Sequence, residues 1–294
     1  MKLFRRSPAV ASPKSLQNPR PTPNATKIPE RRIGHSGIDT FVLAKGPVVT
    51  RGPTNTKGTK GYDLTFRGGK VLKNPTFQPI YFGDYWKTEN GAADRKYNDA
   101  FASEVVTSKH QDVLSQYGVG KGSSEASVVV KGAPTRVTKD DVIALVKQQL
   151  SLGAVKSGAE TVHMVVLPPG AVLDAGNGVD STQGLGGFHG SYIDEAGKSV
   201  YFGVVAYSEG KNGIDFNGNA RDNLTIVESH EFDEAATDPD VGNGKLAWYN
   251  SKYGEIGDLA VNRGLVPLDQ AYVKDAQGYS VQVEWSNRDH KFIG

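Results

Sequence analysis

The stretch Ser229-His230-Glu231-Phe232-Asp233-Glu234-Ala235-Ala236-Thr237-Asp238-Pro239 decides how this chain is read. Its apolar and acidic residues suit a helix, and Pro239 disfavours helical backbone just before itself. A helix over 224–237 is therefore expected, capped by Asp222-Asn223 and closed by Pro239. Residues i and i+4 share a helix face, so His230 and Glu234 can point at one ion while Glu231 stands one step round. A divalent ion about 2 Å from its donors needs such a pair one turn apart and further ligands from elsewhere. The spacing is the metallopeptidase pattern HExxH with its second histidine replaced by glutamate, in which Glu231 is the base toward water.

Working outward, Gly254-Glu255-Ile256-Gly257-Asp258 offers Glu255 or Asp258 as a third ligand, and Asp240, ten residues after the histidine, competes with them. Such a set has more oxygen than His₂Glu, so Zn²⁺ is expected, with Mn²⁺ or Ca²⁺ as alternatives. Asp233 and Thr237 are candidates for orienting the ligands. Upstream, Phe188-His189-Gly190-Ser191-Tyr192 follows a glycine-rich loop beginning at Gly176. His189 is expected there as a catalytic donor to developing negative charge opposite Glu231, or as a further ligand. His163 sits in an apolar run and reads as core, and His110 as the wet face of an amphipathic helix.

The remaining pattern alternates strands with helices. Thr76–Phe82 reads as a strand that Pro79 places at an edge or a strand start. Asn98–Tyr117 reads as one helix ended by Gly118, and residues 125–131 as a short strand. Thr138 and Asp141 open a second helix that Gly153 ends. Thr161–Leu167 has the continuous apolar character of a strand covered on both faces, with further strands at Val200–Tyr207 and Tyr279–Trp285. An α/β or α+β domain with a mixed sheet is expected over 70–294.

Residues 1–69 read differently, as an extended or disordered basic arm. Residues 1–60 hold 12 Lys/Arg against 2 Asp/Glu and 8 of the 15 prolines, leaving 22 basic and 30 acidic residues beyond. Such an arm suits an anionic surface or a partner protein, although no aromatic residues interleave its charges as a nucleic-acid stacking platform requires. The chain of 294 residues has no cysteine, which excludes disulfides and thiolate chemistry. It shows no GxxxxGK[ST] loop, no GxSxG elbow, no run of 18 apolar residues and no apolar leader.

Several blocks together resemble the bacterial zincin-like proteins related to the plant phosphate-induced or EXORDIUM-like family. They are residues 229–239, Ala247-Trp-Tyr-Asn250, Gly254-Glu-Ile-Gly-Asp-Leu259 and Trp285-Ser-Asn287, with residues 74–86, 115–120 and 188–192 upstream. The resemblance covers about residues 70–290 and implies a zincin-like fold, a twisted mixed sheet with packed helices and the metal-bearing helix beneath an edge strand. It also implies an exported or cell-surface protein. Two departures stand out: Ala260 replaces the cysteine common in relatives, and the plant branch largely lacks the HExxE block. Two functions are therefore expected in competition. One is a zinc metallopeptidase acting on a peptide or protein substrate, and the other a non-catalytic surface or assembly protein with a structural or vestigial metal site.

Overall fold

The computed structural model describes residues 39–42 and 60–294 except 262–263. Expectations that fall on the rest of the arm lie outside the described residues. Runs of aromatic and β-branched residues make the strands of the main sheet. In chain order the first elements are β1 (Asp39–Val42), β2 (Thr65–Phe66), β3 (Thr76–Phe82), α1 (Glu89–Val105), β4 (Ser123–Ser124) and β5 (Val128–Val130). Next come β6 (Arg136–Thr138), α2 (Lys139–Ser151), β7 (Thr161–Val166), β8 (Val172–Gly176), β9 (Val179–Asp180), β10 (Leu185–Ile193) and β11 (Ser199–Val205). The last are α3 (Ala220–Thr237), β12 (Trp248–Tyr249), β13 (Tyr272–Lys274), β14 (Ser280–Gln282), β15 (Glu284–Ser286) and β16 (Lys291–Ile293).

The main sheet runs β1-β10-β11-β7-β3-β4, with β5 also on β3. Strands β11, β7, β3 and their outer neighbours are parallel, whereas β10 is antiparallel to both β11 and β1. The architecture is mixed α/β, in accord with an α+β reading. Alternation along β3 sends Phe77 and Tyr81 to one face and Ile80 and Phe82 to the other. The first face packs α1 and α3, with Phe101 and Phe232 against Phe77. The second packs α2 and the small β6-β8-β9 sheet, through residues such as Val146 and Leu173.

Several local expectations change. β3 is interior rather than at an edge, and Pro79 is tolerated because the outer neighbour switches there from β4, paired at 76–77, to β5, paired at 80–82. The expected helix over 98–117 is two pieces, α1 and a 3-10 segment His110–Tyr117. α3 begins at Ala220, four residues before the expected start at Leu224, and its cap is Asn219, whose side chain accepts the Arg221 and Asp222 N–H groups. The closing strand divides into β14 and β15, which belong to separate hairpins. α2 opens as expected, with Thr138 and Asp141 in a reciprocal capping box.

Residues read as the end of the arm take part in the fold. β1 adds to the main sheet and β2 pairs with β12. Leu64 joins a smaller apolar cluster with Leu114, Tyr117, Ile256, Leu259 and Trp285. That cluster seats the loop after β12 against the C-terminal end of α3, since Ala236 belongs to it too. Among the described residues no helix is long and apolar enough to cross a membrane.

Candidate metal centre

α3 is covered on every side, and all residues from Asp222 to Thr237 are buried. It lies against β10 and β11 of the sheet, against α1, and along β14. A helix so placed would ordinarily be apolar, yet this one carries Glu228, Ser229, His230, Glu231, Asp233, Glu234 and Thr237. Each buried charge costs several kcal/mol unless it is paired or coordinates a metal, so their partners decide what the helix is for.

Two glycines let neighbouring backbone approach these side chains. A Cβ on Gly187 of β10 would stand 2.7 Å from Glu231 Oε1, and one on Gly257 would fall on the His230 imidazole. His230 Nδ1 lies 3.0 Å from Gln282 Oε1, and Gln282 Nε2 donates to Gly257 O at 2.9 Å and Glu284 Oε1 at 3.1 Å. Because the Gln282 amide nitrogen serves those two acceptors, its oxygen faces the ring and His230 Nδ1 is the donor. When the ring is neutral its lone pair is then on Nε2, which is 3.2 Å from Glu234 Oε2.

His189 completes the group from the sheet side. Its Nδ1 lies 3.3 Å from Glu231 Oε2 and 3.5 Å from Glu234 Oε2, and its Nε2 lies 3.4 Å from Glu255 Oε1. Donors about 2.0–2.1 Å from a tetrahedral ion are separated by about 3.3–3.4 Å, so each contact has the spacing of two ligands on one ion, with Glu231 and Glu234 on the Nδ1 side of the ring and Glu255 on the Nε2 side. Two overlapping sets of three donors result, His189-Glu234-Glu255 and His230-Glu231-Glu234, sharing Glu234 and wholly buried. His189 Nε2 and Glu231 Oε1 have no hydrogen-bond partner among the described residues.

Electrostatics follow from burial with charge. Burial raises Glu231 to about 7, outweighing the hydrogen bond from His189, and lifts Asp238 to about 7. Burial would lower both histidines, but neighbouring carboxylates reverse this, carrying His230 up to about 10 through Glu234 and raising His189 through Glu231 and Glu234. The pocket thus draws positive charge strongly, whether as protons or as a cation.

The expected residues divide between the site and its supports. His230, Glu234, Glu231, His189 and Glu255 converge. His189 is not on a loop, as the glycine-rich pattern suggested, but within β10, where it belongs to a donor set. Asp258 is in neither set; its carboxylate accepts the Glu255 N–H at 3.2 Å and its own N–H donates to Glu234 Oε1 at 3.1 Å, so it shapes the loop. Asp240 is engaged elsewhere, accepting Ser191 Oγ at 2.6 Å and Ser199 Oγ at 3.2 Å. Asp233 and Thr237 are bonded to other groups. Asp233 meets His110 Nε2 at 2.6 Å, and Thr237 donates to the backbone oxygen of Asp233 at 2.8 Å. His110, expected at a wet face, is buried by that contact.

The orienting residue that the sequence reading missed is Gln282. The signal was the alternation Ser280-Val281-Gln282-Val283-Glu284-Trp285, which reads as a strand with one wet face. Both of its faces are buried, because the polar one rests on α3. No family model matches the chain, and neither a curated protein nor a solved structure matches it.

Proposed function

We propose that this chain is a metal-dependent hydrolase, a zinc peptidase of zincin-like type whose ion is gripped between α3 and the sheet. The observation that carries the reading is that two buried donor sets, His189-Glu234-Glu255 and His230-Glu231-Glu234, meet at Glu234, whose Oε2 lies 3.2 Å from His230 Nε2 and 3.5 Å from His189 Nδ1. Nitrogen and carboxylate donors at tetrahedral separation, two of the surrounding polar atoms lacking any hydrogen bond, fit a divalent ion. The sequence blocks that resemble those of zincin-like proteins related to the EXORDIUM-like family, and a HExxE helix packed against β10, support it.

His230, Glu234 and His189 would hold the ion, with Glu255 on the far nitrogen of His189. When bound, Zn²⁺ supplies Lewis acidity and a more acidic water. Glu231 stands beside the shell on the next helical position, and Gly187 leaves room for its carboxylate. A carboxyl raised toward neutrality suits a group that takes a proton from water and returns it to a leaving amine. Gln282 fixes the His230 tautomer, and Asp258 holds Glu255 and Glu234 in place through backbone N–H groups.

Glu231→Gln tests the mechanism. The variant is expected to retain stoichiometric zinc and lose at least a hundredfold in peptide hydrolysis, consistent with the usual weight of general-base catalysis of about 10²–10⁴. Equal turnover by the two proteins contradicts the assignment. Stoichiometric zinc with no cleavage of a broad peptide library by the wild type favours a binding protein with a structural ion instead.

A further inference from the structure

Gln282 ends β14 and Glu284 opens β15, and both side chains are fully buried on the same side of the chain. The Gln282 backbone is tied to α3, its N–H donating to Ser229 Oγ at 2.9 Å. Of its two amide hydrogens, one goes to Gly257 O at 2.9 Å and the other to Glu284 Oε1 at 3.1 Å, which leaves the amide oxygen for His230 Nδ1 at 3.0 Å. A line of contacts thus runs from the His230 ring through Gln282 to Glu284. Glu284 belongs to neither donor set, and its second carboxyl oxygen has no hydrogen-bond partner among the described residues. Burying a carboxyl in this way is costly, and the bond from Gln282 is the one hydrogen bond this side chain makes among the described residues.

We propose that Glu284 is a positioning residue for the metal centre, acting on His230 through Gln282. A carboxamide can turn over and exchange its oxygen with its nitrogen, so either end can face a histidine ring. Turned over, Gln282 would set its oxygen against two acceptors, Gly257 O and Glu284 Oε1, and its NH₂ group against the Nδ1–H of His230. Gly257 O opposes that from the loop after β12, and Glu284 opposes it from the strand that follows β14, so the amide is gripped by both of its hydrogens. Held this way, it keeps the His230 proton on Nδ1 and leaves Nε2 for the ion, the tautomer that ligation requires. Glu284 touches neither the ion nor its ligands in this arrangement; its whole effect passes through the amide. The inference rests on the metal-binding part of the proposed function and asks nothing of hydrolysis.

Zinc affinity of the full-length protein, read by competition with a chromophoric chelator, tests this. Glu284→Leu is expected to bind zinc about tenfold more weakly than wild type, the lower end of what loss of an orienting partner costs, since Gly257 O still holds one amide hydrogen. Glu284→Gln keeps an acceptor oxygen at the same reach and is expected to stay within about threefold of wild type. In a Gln282→Leu background, Glu284→Leu is expected to cost nothing more, a coupling that a merely structural role would not produce. Glu284→Leu binding as tightly as wild type, Glu284→Gln falling as far as Glu284→Leu, or a full further loss in the double variant overturns the proposal. A wild type that takes up no zinc fails the metal-binding reading instead, and a measurement on the zinc-free wild type still decides the positioning. Both Gln282 side-chain amide protons are expected to resist exchange by NMR, and rapid exchange of the one facing Glu284 overturns it.

Discussion

At the scale of single residues, the site depends on side chains whose partners lie far away in sequence. His230 and Glu234 were legible because helical spacing alone puts them on one face. Gln282 was not legible, since an alternating strand does not reveal that its polar side will be covered by a helix 52 positions upstream. The contact makes a clear prediction. Gln282→Leu removes the acceptor that fixes the His230 ring, and loss of such an orienting partner typically lowers metal affinity 10–100-fold. Competition with a chromophoric zinc chelator should show that drop in the purified variant, and unchanged affinity would mean that His230 is positioned by packing alone. His189 illustrates the converse: the glycines around it suggested a loop, but Gly187 is there to admit Glu231 beneath a strand.

At the scale of elements, propensity and capping were read correctly where the signal is local and failed where neighbours override it. The α2 cap is local, because Thr138 accepts the Asp141 N–H and the Asp141 carboxylate accepts the Thr138 N–H. Thr138→Ala should therefore cost about 1 kcal/mol. For a domain of this size that is roughly a 2–4 °C fall in Tm by calorimetry, with zinc affinity untouched because α2 lies on the opposite face of the sheet. A matching loss of zinc would contradict the two-layer separation. β3 shows the other case. Pro79 argues locally for an edge, and only the handover from β4 to β5 makes it acceptable inside the sheet. The helix expected over 98–117 likewise breaks at 106–109, where Ser108 Oγ turns back to bond Val105 O and His110 is drawn inward to Asp233.

At the scale of the whole molecule, the sheet buries more than hydrocarbon. His163 stands in the middle of β7 with a 1% exposed side chain, and burial lowers it from 6.5 to about 4. The unfolded chain takes up that proton below pH 6.5 and the folded one does not, so stability falls as pH drops from about 6.5 to 4 and then levels off. The loss between pH 7 and pH 5 is about 2 kcal/mol. His163→Leu should remove this part of the slope in urea midpoints compared at the two pH values, and an unchanged slope would assign acid sensitivity to other groups. The mixed α/β class and its central strand Thr161–Leu167 were readable from apolar runs. The use of β1 and β2 in the sheets was not, because proline-rich, basic sequence masks short pairing segments.

The central claim is that α3 and β10 together hold one divalent ion. Diffraction from zinc-loaded crystals, recorded on both sides of the zinc absorption edge, measures this directly. The account predicts one anomalous peak within about 2.0–2.2 Å of His230 Nε2 and of a Glu234 carboxylate oxygen, with His189 in the same shell. Zinc bound only at the surface, with solvent or nothing between those side chains, would contradict it.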